Sequence, residues 1–106
     1  MLPKIAHGEP FSITATHATA ADAQQAAVAD KYHILTDVEA SSDKAGSILT
    51  VKDGTTVKFQ VVVGAGSFEH QFAVPIFCSV NSLLRIELDG TAAAKVNGQG
   101  VTISTK

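Results

Sequence analysis

The stretch Gly46 to Val63, GSILTVKDGTTVKFQVVV, most constrains what this chain can fold into. In an extended chain Ile48, Thr50 and Lys52 fall on one side and Leu49 and Val51 on the other. Asp53-Gly54 follows, and Thr55 to Val63 continues as a β-branched and aromatic run. Asp-Gly between two strand-like runs is a strong hairpin signal, because a type I′ turn needs positive φ at both central residues and Asp and Gly tolerate it best. In the second strand Val57, Phe59, Val61 and Val63 share the core face, and Thr56, Lys58, Gln60 and Val62 share the wetter one. The hairpin sets the fold class and carries no chemical motif.

Further strands flank it. Phe11 to Thr19 alternates, with Phe11, Ile13, Ala15, His17 and Thr19 on one face. Ala20 to Asp30 is rich in Ala and Gln, both good helix formers. A helix here would have no apolar face wider than alanine and would bury little, so extended structure is expected, with Ala23, Gln25 and Ala27 on one side. Tyr32 to Ala40 reads as a strand with Tyr32, Ile34, Thr36 and Val38 on one face. His33, Leu35, Asp37 and Glu39 lie on the other, which reads as facing solvent. Ser67 to Ala73 sets Phe68, His70 and Phe72 against Glu69 and Gln71. Pro75 has no N–H to give a ladder and belongs on an edge or at a strand end. Cys78 to Ser82 reads as a connection. Leu83 to Asp89 points Leu84, Ile86 and Leu88 to the core and Arg85 and Glu87 outward, where they can pair with charges across the strand. In Lys95 to Thr105, Gly98 and Gly100 predict a bulge or sharp bend.

Seven to eight short strands, frequent turn signals and no long helical pattern predict an all-β chain: a single-domain β-sandwich, jelly-roll or Greek-key-like. At 106 residues it is one domain. Residues 1–10, with Pro3, Gly8 and Pro10, read as an N-terminal arm, and residues 11–106 as the sandwich. Leu2 and Ile5 are the arm's apolar anchors.

Charged residues make up only 17% of the chain and hydrophobic ones 45%. Either Thr, Ser, Gln and Asn cover the surface, or part of the surface is buried against other copies. A net charge of −2 with eight scattered basic residues argues against nucleic acid as a partner. No run approaches membrane-spanning length, and the first residues hold no apolar core of a secretory signal, so no membrane partner is expected. The single Cys78 excludes an internal disulfide framework and fits synthesis in a reducing compartment.

Chemistry is sparse. His7, His17, His33 and His70 form no local metal-binding pair, although His17 and His70 both fall on apolar faces and could meet in the core. Asp37 with Glu39, and Glu87 with Asp89, have the spacing that puts two carboxylates on one strand face, more often a matter of solubility than of a site. Gly64-Ala65-Gly66 lacks the Lys and helix of a phosphate loop. Cys78 has no neighbouring histidine and reads as a buried, inert thiol. No catalytic residue, metal ligand or cofactor is expected, and the chain is expected not to be an enzyme.

The order of features carries a resemblance. DKYHILTDVEAS, then GSILTVKDGTTVKFQVVV, GAGSFEHQFAVPI and SLLRIELDGTAAAKVNGQGVTI together resemble small β-sandwich structural proteins of tailed bacteriophages, of the capsid decoration or cement kind. The likeness spans roughly residues 27–103. One position departs from it: Asp30 stands where the pattern has glycine. The resemblance implies a virion protein made in the host cytoplasm and carried on the capsid surface. It implies a homotrimer, its subunits joined through an outer sheet face or an end loop, that binds the phage major capsid protein, with Leu2 and Ile5 of the arm as the candidate shell contacts. A tail, neck or fibre module of the same architecture is the alternative, separable by copy number per virion. A carbohydrate-binding module using Asp37 and Glu39 is a second alternative.

Overall fold

A computed structural model describes residues 8–106. Eight strands account for the regular structure among these residues: β1 (Glu9–His17), β2 (Ala20–Gln25), β3 (Lys31–Ser42), β4 (Ile48–Asp53), β5 (Thr56–Val62), β6 (Gly66–Phe77), β7 (Leu84–Asp89) and β8 (Ala94–Ser104). They form two four-stranded sheets, β1-β8-β3-β6 (sheet A) and β2-β7-β4-β5 (sheet B), packed face to face. The fold is the expected all-β sandwich, with the jelly-roll strand order.

The order has a simple origin. Strands pair antiparallel almost symmetrically about the β4–β5 turn: Ile48 with Val62, Ile34 with Phe77, Ala20 with Asp89 and Glu9 with Thr102. The chain is one long ribbon doubled back at Gly54-Thr55 and rolled so that successive parts of it alternate between sheets. The hairpin read from the sequence is the tip of that ribbon. Its turn differs from the expectation. Asp53 pairs with Thr56, so the two-residue loop is Gly54-Thr55, and of these only Gly54 has positive φ (63°). This is the II′ pattern, with glycine first, and it leaves Asp53 in the strand.

The core is Ile13, Ala21 and Ala23, Leu35, Val38 and Ala40, Leu49 and Val51, Cys78, Leu84, Ile86 and Leu88, and Ala94 and Val96. Ala21 and Ala23 pack inward from an extended strand, because β7 supplies a ladder of hydrogen bonds that an isolated alanine helix would have had to replace.

Three irregularities reassign faces. In β3 the register slips at Thr36 against both neighbours. Before the bulge His33 and Leu35 point inward, and after it Val38 and Ala40 do. The expected core face is therefore wrong for the first half of the strand: Tyr32 and Ile34 point out. A bulge inserts one residue and so inverts every side chain beyond it. In β5 the slip at Lys58 turns Val57 outward, 50% exposed, while Phe59, Val61 and Val63 pack against the core. In β6 the ladder to β3 breaks between Gln71 and Ile76, around Pro75, on an edge strand as its missing N–H requires.

Gly98 and Gly100 form no bulge in the ladder to β1; the slip beside them lies in β3, opposite Gly100. They make room. A Cβ on Gly98 would collide with Ile86 Cδ1 and press on Leu35 Cδ1 at 3.1 Å, and one on Gly100 would collide with the Ile34 carbonyl. Asp30 has φ 61°, in the left-handed region that glycine adopts freely and that Asp visits more readily than most residues.

Candidate association surface

Outside the core, the most distinctive surface is one end of the outer face of sheet A. Strand alternation there places Pro10 of β1, Val101 of β8, Ile34 of β3 and Phe77 of β6 side by side in register across all four strands. Ile103 and Tyr32 form the next row. The Tyr32 and Phe77 rings lie 6.5 Å apart, stacked at 27°. Phe77 is 53% exposed, Pro10 is exposed and the other four are half-buried. Beyond this patch the same face turns polar, with Ser12 and Thr14 both donating to Asn97 Oδ1 at 3.3 Å. An outer sheet face would be expected to be polar throughout. A contiguous apolar end is what an interaction surface needs.

Leu2 and Ile5, the contacts proposed from the sequence, lie outside the described residues, as does His7. Glu9 and Pro10, read as arm, belong to β1.

The other candidates resolve into structural roles. His17 and His70 do not meet, since β1 and β6 are opposite edges of sheet A. His17 Nδ1 accepts from the Thr19 and Ala20 amides and shapes the β1–β2 turn. His70 joins an aromatic cluster where β5 and β6 meet. It stacks on Phe59 with ring centres 5.6 Å apart, and Phe72 stands edge-on to both. His33, read as solvent-facing, is buried. The Ala26 carbonyl can only accept, so Nε2 carries the proton, and Nδ1 accepts from the Thr102 hydroxyl; both distances are 2.8 Å.

Asp37 and Glu39 share the outer face of sheet A, but Glu39 lies opposite Glu69, and Asp37 accepts from the Thr36 hydroxyl. Glu87 pairs with Lys52 at 2.9 Å and Arg85 at 3.0 Å, and Arg85 reaches Asp22 at 2.6 Å, so the outward charges of β7 do pair across strands. Asp89 binds Lys44 and the Ile48 amide, both at 2.7 Å, which hold its carboxyl below the usual range. Among the described residues no three His, Cys, Asp or Glu side chains group as a metal site, and no helix is long and apolar enough to cross a membrane.

Two carboxylates escaped sequence reasoning. Asp43 accepts from the amides of Thr91, Ala92 and Ala93, which depress its pKa and tie the β3–β4 loop to the β7–β8 loop. Asp53, read as a turn residue, is buried. It accepts from the Ser79 amide at 2.9 Å, the Ser79 hydroxyl at 2.8 Å and the Ser82 hydroxyl. Burial is the largest single influence and would raise its pKa. The hydrogen bonds from Ser82 and Ser79, helped by Lys58, together outweigh it and leave the carboxyl below its ordinary value. Burial and the Asp53 charge push the neighbouring Cys78 thiol up to about 11, so it is the inert thiol the sequence suggested.

In comparisons with known proteins, no family model and no curated protein matched the chain.

Proposed function

We propose that this chain works by association, as a structural subunit that docks on a larger particle. The observation that carries the reading is the apolar end of sheet A's outer face, from Pro10 to Phe77. The sequence resemblance gives the particle: the head of a tailed phage, decorated by copies of this chain acting as a homotrimer on the major capsid protein. Mechanistically, the protein adds apolar contact across boundaries between shell subunits. Each contact is modest, and the symmetry of the shell and of the trimer multiplies it. The jelly roll supplies a rigid sheet on which the contact residues keep their spacing. Leu2 and Ile5, read from the sequence as apolar anchors, are proposed as further shell contacts.

The test is occupancy on expanded, undecorated heads. Ile34→Asp and Phe77→Asp replace outward side chains, so the fold should survive while binding falls at least tenfold. Removal of residues 1–7 should weaken binding further. Folded Asp variants that decorate heads like the unmodified protein would overturn the assignment. A native mass in solution tests the trimer separately.

A further inference from the structure

The crossover from sheet A to sheet B between β6 and β7, Cys78–Leu83, is held differently from the rest of the molecule. Of its six residues only Cys78 is buried; Ser79, Val80 and Asn81 are exposed. It therefore contributes little apolar burial and is secured by polar contacts. Toward sheet A, the Cys78 and Asn81 amides donate to the carbonyls of His33 and Lys31, each at 2.9 Å, and Asn81 Oδ1 accepts from the Asp30 amide at 2.8 Å. Toward sheet B, Leu83 accepts from the Gly54 amide at 2.7 Å, and three donors from Ser79 and Ser82 converge on the one carboxylate of Asp53. Asn81 sits at φ 62°, a left-handed conformation that costs a non-glycine residue free energy and favours release. Segments with few buried apolar contacts open at lower free energy than the global unfolding transition.

We infer that Cys78–Leu83 is a strap latched by Asp53, which opens as a unit while both sheets stay folded and which uncovers the otherwise shielded Cys78 thiol. The neighbouring groups suit a latch. Lys58 on β5 is the cation that acts on Asp53, and the uncharged Cys78 thiol is the other titratable group there. The opposite pole of the sandwich has its own carboxylate tie, Asp43, which does not touch the strap. The inference is independent of what the chain docks on.

Thiol labelling of the intact protein at pH 8, followed against urea concentration, tests it. Cys78 should react through an opening whose rate constant stays flat at low urea and turns upward only near the global transition, because little surface is exposed when the strap lifts. Asp53→Asn should speed labelling without urea about ten- to hundredfold, the equivalent of losing charge-assisted hydrogen bonds. Ser79→Ala, a milder change, should speed it severalfold. Val96→Ala, in the core away from the strap, should lower the urea midpoint and leave labelling without urea unchanged. A steep urea dependence from zero denaturant, equal acceleration by Val96→Ala, or labelling indifferent to Asp53→Asn would each overturn the inference.

Discussion

Gly98→Ala offers a sharp test of how the two sheets meet. Gly98 lies mid-β8, buried, between Ile13 of β1 and Val38 of β3. Its φ is not in the left-handed region, so alanine introduces no backbone strain there. Removing glycine should in fact favour folding by about 0.4–1 kcal/mol through the unfolded chain. Against that, the new Cβ would overlap Ile86 Cδ1 from the facing sheet and crowd Leu35 Cδ1 at 3.1 Å. Overpacking of this kind costs about 1–3 kcal/mol. The net expectation runs from near zero to a loss of about 2.6 kcal/mol.

Ile86→Val removes the very atom in the way, and alone should cost about 0.5–1.5 kcal/mol. In the double variant the alanine methyl takes the space that the δ-methyl vacates. The pair should lose less than the sum of the singles, with a coupling energy of about 1–2 kcal/mol. Urea titration reads this as shifts in midpoint at constant slope. Gly100→Ala serves as the control. Its Cβ would meet the Ile34 backbone carbonyl, which no side-chain trimming relieves, so Ile86→Val should not rescue it. Additive losses in the Gly98/Ile86 pair, or equal rescue of Gly100→Ala, would refute this account of why β8 carries glycine.

Two further expectations concern the ribbon tip. Asp53 has a folded pKa below its unfolded value of 3.8, so its stabilisation is complete above that value and is lost as pH falls through the folded pKa. Tm should decline from about pH 5 to pH 2, and Asp53→Asn should be less stable at neutral pH and show a shallower acid decline; an unchanged acid limb would count against the assigned hydrogen bonds. Phe59→Ala would cost about 3–5 kcal/mol at a fully buried site, but Phe59 is only half-buried at the β5–β6 opening, so about 1–3 kcal/mol is expected in urea titration, while Val57→Thr, turned outward by the Lys58 bulge, should be near neutral.

The elements of this fold were legible because each rests on local signals. Alternation in Phe11–His17 and Leu84–Asp89, the Asp-Gly turn, and Pro75 on an edge all act within a few residues. What was not legible depends on partners distant in sequence. The Thr36 bulge answers to β6 and β8 together, and nothing in YHILTDVEA marks it. Ala20–Gln25, helix-prone by composition, was legible as extended because an alanine helix would bury little; only its partner strand, β7, was not. Asp53 looked like a turn residue because the groups that donate to its carboxylate, Ser79 and Ser82, lie more than twenty residues on. Part of the association surface did have a signal. Val96 and the pair Val101 and Ile103 differ in parity, so in an unbulged strand they must face opposite sides. The other half, Tyr32 and Ile34, was assigned to the core for want of the bulge, and Leu2 and Ile5 fall outside the described residues.

These irregularities and the apolar surface are linked. A ribbon doubled at Gly54-Thr55 with unbroken alternation would keep one face of β3 buried from end to end, and Tyr32, Ile34 and Val38 would share it. The slip at Thr36 instead lets His33 and Leu35 fill the interior at one pole and Val38 and Ala40 at the other. Tyr32 and Ile34 are displaced to the outside, beside Val101, Ile103 and Phe77, which the register of β8 and the late part of β6 place on that same outer face. The Thr36 bulge turns Tyr32 and Ile34 outward, and the unpaired stretch of β6 from Phe72 to Pro75 brings Phe77 into register beside them. Deleting Thr36 should therefore do more than lower stability: it would exchange the inner and outer faces on one side of β3, setting Tyr32 and Ile34 against the core positions of Val38 and Ala40. The bulge is thus a determinant of the proposed docking surface as well as of the fold.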